Sequence, residues 1–221
     1  TLLASAMYLA GFLLIVIMNL LFGILSQGFS TVQFFSPLYM SAGGLGSGLS
    51  QSFNAGVIEN PPFFQWFYGV WTAGSIEEFV FGYALYLALW VISSVLIVEV
   101  IFGGKAPFGI SNKAFNEIFT FSGVILMFGG IHLLNNSYSG IMFVWAMVFR
   151  LLMSLALFKF GFGLAFTMGI HHSNNNWAFI ITQGFGTWIE VLFTHPFGLV
   201  FVAMFLALVV YVFKNIDKVI K

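Results

Sequence analysis

Glu77 and Glu78, His132, Arg150 and the run His171-His172-Ser173-Asn174-Asn175-Asn176 are the residues of this chain whose types and spacing could do chemistry. A carboxylate beside an imidazole in a water-poor pocket can hold a water molecule and take its proton, and Glu77 with His132 could act in this way. His171 and Asn175 are one helical turn apart, so they project from one face and offer two donors to a developing oxyanion. Together these side chains suit hydrolysis of a peptide bond, a reaction that requires no cofactor. The same side chains also suit a divalent metal such as zinc, held by Glu77, Glu78, His132 and His171, and residue types alone do not separate the two chemistries. A haem between His132 and His171 is a third use of the histidines, although no second matched pair follows. The chain has no cysteine, which excludes a thiolate nucleophile, thiolate metal ligands and disulfides.

The elements that must position these residues are set by composition. The chain is 60% hydrophobic and 6% charged, with 30 Phe among its 221 residues. A soluble domain is roughly a quarter charged, so the side chains here are suited to hydrocarbon and the fold class is an all-α integral membrane protein. Apolar runs of about 20 residues suffice to span a bilayer. They predict a single bundle of about six transmembrane helices: Leu2 to about Leu25, Ser75 to Phe102, Glu117 to Leu134, Tyr138 to Phe160, Gly163 to Ile181, and Thr187 or Phe197 to Phe213. The stretch from Ser26 to about Gln65, with its Gly- and Ser-rich centre at Ser41 to Ser50, reads as a long loop lying on the membrane.

Lys105, Lys113, Lys159 and the C-terminal lysines fall in alternate loops of such a bundle. Because cytoplasmic loops are enriched in Lys and Arg, both termini are expected in the cytoplasm. Glu77, His132 and His171 are then expected at one membrane depth. Ionisable groups inside spans cost at least a few kcal/mol each, so that convergence marks them as the candidate site.

Three motifs in this region resemble the CPBP family, membrane proteases related to the type II CAAX prenyl endopeptidases. Glu77-Glu78 matches the family's glutamate pair, although Gly82 stands where its first motif has Arg. Phe128-Gly129-Gly130-Ile131-His132 matches Phe-x-x-x-His, and His171-His172-Ser173-Asn174-Asn175 matches His-x-x-x-Asn, with His172 and Asn176 as a second register. The resemblance covers about Ser75 to Asn176. It implies that Glu77 and His132 activate the water, that His171 and Asn175 bind the oxyanion and that Glu78 supports them. A member without the first-motif Arg is either degenerate or draws that charge from elsewhere, and Arg150 is the candidate donor.

The competing class is a non-catalytic membrane subunit or assembly factor, with Phe-rich faces packed on other helices and the Glu and His residues holding helices together. The expected partners are therefore the lipid bilayer together with either a membrane peptide or protein substrate or other membrane subunits. The seven Lys and Arg are scattered and balance seven Asp and Glu, which gives no basic patch for nucleic acid.

Overall fold

A computed structural model describes residues 2–25, 62–134 and 140–220 of the chain. All regular structure among these residues is helical: α1 (Leu2–Leu25), α2 (Pro62–Ile101), α3 (Asn112–Leu134), α4 (Gly140–Ser154, continued by a π-helical turn Leu155–Lys159), α5 (Gly163–Gln183), α6 (Phe185–Thr194), α7 (Pro196–Lys214) and the short α8 (Asp217–Ile220). Four of them, α1, α2, α3 and α7, are long and apolar enough to cross a membrane. The outward faces carry large apolar side chains such as Leu3, Ile17, Val95, Val100 and Phe213, a surface suited to lipid. The all-α membrane class expected from composition therefore holds, and four helices among the described residues support it against the six spans counted from hydropathy.

The expected loop from Ser26 to Gln65 lies mostly outside the described residues, but its last part is helical. α2 begins at Pro62 rather than Ser75, because a proline fits the first turn of a helix, where its missing N–H has no partner to lose. At 40 residues α2 is about twice the length that a bilayer core demands. Its aromatic first turns, Phe63 and Trp66, pack with Val70, Phe179, Val191 and Leu192. The sixth span, expected to start at Thr187 or Phe197, is α7, which starts at Pro196, and the stretch before it is the separate helix α6. Gly184, at φ 89°, ends α5 in a conformation that favours glycine, and Pro196 starts α7 after the short α6.

Side-chain pairings fix the helix directions. α5 runs antiparallel to α2, since Trp66 meets Asn176 and Glu78 meets His171. It also runs antiparallel to α1, where Tyr8 meets His172 and Gly11 lies against the backbone of Phe166. α3 opposes α2 through Phe81 and Phe128, and α4 opposes α3 through Lys159 and Glu117. α7 follows α2, with Phe63 beside Phe197 and Trp66 beside Phe201.

Lys105, Lys113, Lys159 and Lys214 thus gather toward one end of the bundle. Leu2 lies toward the other, because α1 is parallel to α2. The expected alternation has the first and second spans opposed, whereas these two helices run parallel.

Candidate functional site

Glu78 lies wholly buried at the start of a π-helical stretch of α2, Glu78–Ala84, in which the Leu85 N–H bonds back to the Val80 carbonyl. Such wide turns shift the helix register by a residue and recur at functional sites. Two other stretches of α2, Phe67–Thr72 and Ile92–Ile101, are π-helical as well. Arg150 of α4, equally buried, donates from Nη1 to Glu78 Oε1 at 3.0 Å and from Nη2 to Oε2 at 3.1 Å. This bidentate fork is the strongest form of the ion pair.

Room for it exists because residue 82, one turn beyond Glu78, is glycine. A Cβ there would sit 3.2 Å from Glu78 Oε2 and 3.3 Å from Arg150 Nη2. The guanidinium carbon also lies 5.6 Å from the centre of the Phe128 ring, within range of a cation–π contact. Arg150 thus points at Glu78, across from α4.

His171 of α5 completes the cluster. Its Nδ1 lies 2.9 Å from Glu78 Oε1 and its Nε2 lies 3.4 Å from Glu77 Oε2, with the Phe149 ring edge-on against the imidazole. An ionised carboxylate only accepts, so the Nδ1–H donates to Glu78 and the tautomer is fixed. One further proton then serves the contact between Nε2 and Glu77, carried by either partner. Burial differs sharply across the group: the side chains of Glu78 and Arg150 are 0% exposed, His171 6% and Glu77 28%. Glu77 is therefore the more exposed of the two carboxylates, and Glu78 is the buried one.

Of the residues expected from sequence, Glu77, Glu78 and His171 come together, with Arg150 added. The side chain of His132 lies outside the described residues, although Phe128, four residues earlier on α3, reaches Arg150. Asn175 turns elsewhere: its Nδ2 donates to the Gly69 carbonyl at 3.0 Å, so one amide hydrogen is committed to α2. The haem expectation meets a direct obstacle, since both ring nitrogens of His171 face carboxylates. Among the described residues no group of three His, Asp or Glu side chains is disposed to hold a metal ion.

A second polar knot lies one residue along. His172 Nδ1 meets the Tyr8 hydroxyl at 2.9 Å and Nε2 meets Ser75 Oγ at 3.0 Å, which ties α1, α2 and α5 together. Asn176 Oδ1 accepts from the indoles of Trp66 at 2.8 Å and Trp188 at 3.2 Å, while its Nδ2 donates to the His172 carbonyl. The second motif register, His172 with Asn176, is thus wholly engaged between helices. Sequence reasoning missed Tyr8, Ser75, Trp66 and Trp188. The only signal for them was that each is a hydrogen-bonding group in an apolar span and must find a partner.

Compared with known proteins, the chain matches no family model, no curated sequence and no solved structure.

Proposed function

We propose that the chain is a membrane-embedded peptidase of the CPBP kind, in which Glu77 activates water with His171 as its proton partner. The observation that carries this reading is the placement of His171 between a locked carboxylate and an accessible one. Glu78, held by Arg150, orients the imidazole as the buried aspartate of a hydrolytic triad does. A water on Glu77 loses its proton as its oxygen bonds to the scissile carbonyl carbon. The proton is shared with His171 Nε2 and passes to the amine nitrogen as the C–N bond breaks. The motif resemblance implies His132 as a second partner of Glu77 in activating the water, and Asn175 as an oxyanion donor, for which it has one amide hydrogen beyond that given to Gly69. Arg150 stands in for the first-motif arginine, so Gly82 does not by itself argue for a degenerate member. The substrate class is a peptide or protein within the bilayer. By the positive-inside tendency, the lysine-bearing end of a multi-pass bundle faces the cytoplasm.

The non-catalytic reading has its own observation: Glu78, Arg150 and His172 direct their hydrogen bonds across helices, as structural polar groups do. Reconstitution into liposomes with a mixture of transmembrane peptides, followed by mass spectrometry, separates the two. New termini that vanish with Glu77→Gln support the peptidase. Identical peptide profiles for the two proteins, with the unmodified chain purifying only alongside other membrane subunits, would overturn it in favour of a subunit role.

A further inference from the structure

Seven buried side-chain polar atoms among the described residues have no hydrogen-bond partner in the protein, and four of them share one seam: Asn116 Oδ1, Thr120 Oγ1, Ser154 Oγ and Arg150 Nε. Thr120, Ser154 and Arg150 are 0% exposed and Asn116 is 7% exposed. Asn116 and Thr120 are one turn apart on α3, and Arg150 and Ser154 are one turn apart on α4. The antiparallel register is set at one end by the 2.7 Å ion pair of Lys159 with Glu117 and at the other by Arg150 over Phe128. Thr120 and Ser154 lie between those two points, with Asn116 beside the first and Arg150 at the second. Val124 is buried within the same stretch, and Phe128 and Ala146 form its apolar end.

Hydroxyls in apolar helices usually satisfy themselves by bonding back to a carbonyl one turn earlier. Ser93, Thr167 and Thr194 do so here. Thr120 and Ser154 do not, and a buried hydroxyl without a partner costs roughly 1–3 kcal/mol. Successive turns are about 5.4 Å apart, and one water accepting and donating at about 2.8 Å on each side bridges roughly that gap. We propose that the α3–α4 seam holds a file of bound water leading from the Glu117–Lys159 end of the bundle to the guanidinium of Arg150. The file extends across the nine residue steps from Lys159 to Arg150, about 14 Å of helix. It gives the Glu78–Arg150–His171 cluster a route for water and protons from the lysine-bearing end, whether or not the site hydrolyses peptides. The four unpaired atoms supply protein partners along the file, and neighbouring waters supply the rest of the two to four hydrogen bonds that a buried water makes.

The absence of cysteine makes the test clean. Thr120→Cys and Ser154→Cys, near-isosteric changes, are made singly, with Val98→Cys as a buried apolar control that is 1% exposed. Each variant in liposomes is exposed to silver ion, which is about the size of water, and the thiols left unreacted are then counted after denaturation. Reaction of the thiols introduced in place of Thr120 and Ser154 at least about tenfold faster than that of the control supports a wet seam, because thiol reactivity follows access. Rates equal to the control overturn it. The unmodified protein gives a second measurement that does not depend on the variants folding. In an experimental density map that resolves bound waters, water within hydrogen-bond distance of Thr120 Oγ1, Ser154 Oγ and Arg150 Nε supports the file, and a dry seam beside water elsewhere overturns it.

Discussion

Arg150 reaches across from α4 to place its two terminal nitrogens on the two carboxylate oxygens of Glu78, at 3.0 and 3.1 Å, in the space that Gly82 leaves bare. Neither side chain has any exposed surface. The pair is therefore a structural commitment, and the polar groups left beyond it are His171, which touches Glu78, and Glu77, which touches His171.

Replacing one partner should be far worse than replacing both. Arg150→Met leaves a buried carboxylate without its counter-charge, a change that typically costs about 3–5 kcal/mol. Adding Glu78→Gln removes the orphaned charge and should recover much of that loss. Thermal unfolding of the two single variants and the double variant in one detergent measures the coupling; additive losses would mean that the fork carries no energy of its own.

Glu77 and Glu78 are adjacent in sequence but should respond differently to amidation. Glu77, at 28% exposure and with one 3.4 Å contact, should lose less than about 1 kcal/mol as Gln, in line with partly exposed pairs. Glu78→Gln strands Arg150 and should unfold at clearly lower temperature. If peptide cleavage is observed, Glu77→Gln should abolish it while leaving the melting temperature near that of the parent, and the reverse pattern would exchange the roles assigned to the two carboxylates.

Hydropathy locates apolar spans because burial in lipid needs about 20 apolar residues whatever their neighbours. It carries no direction, so α1 reads as opposed to α2, whereas the Tyr8–His172 and Gly11–Phe166 contacts set the two parallel. The start of α2 is misplaced by sequence because Asn60, Pro61 and Pro62 read as loop, although Pro62 suits a first helical turn. At the site, the isolated intramembrane charge of Arg150 is legible as one that must be paired, and Glu78 is the nearest candidate in type. The π-helical stretch at Glu78–Ala84 is not legible, because a pattern based on 3.6 residues per turn does not register an inserted residue. The target of Asn175 escapes for the same class of reason: the acceptor is a backbone carbonyl, that of Gly69, and every residue has one.

His172 should behave as a joint between helices. Tyr8→Phe or Ser75→Ala removes one of its two side-chain partners, and each should cost roughly 1 kcal/mol, the usual net worth of such a bond. Tyr8→Phe should also speed amide hydrogen exchange in α1 more than in α3, since α1 is the helix it ties down. Uniform acceleration across the chain would assign the loss to global stability instead.

Asn176 gathers two indole donors on one oxygen, which makes its acceptor more important than its amide. Asn176→Leu should leave the Trp66 and Trp188 N–H groups unpaired, at about 1–3 kcal/mol for each buried donor. Asn176→Asp keeps the acceptor and should lose less, and tryptophan emission should follow the same order. An aspartate variant as damaged as the leucine one would be evidence against the acceptor role.

The last prediction transposes the guanidinium. Gly82→Arg alone brings a second cation to a carboxylate that Arg150 already fills, and even its Cβ meets Glu78 Oε2 at 3.2 Å and Arg150 Nη2 at 3.3 Å. The single variant should be destabilised by crowding and like-charge repulsion, comparably to the roughly 3–5 kcal/mol of a broken buried pair. In the double variant Gly82→Arg with Arg150→Ala, the truncated side chain on α4 vacates the space and residue 82, one turn from Glu78, can supply the charge along its own helix. Stability should then return part of the way toward that of the parent, above either single variant. Unfolding temperatures of the four proteins decide the matter: a double variant no better than Arg150→Ala would mean that Gly82 is small for packing reasons alone and that the two positions are not alternative sources of one charge.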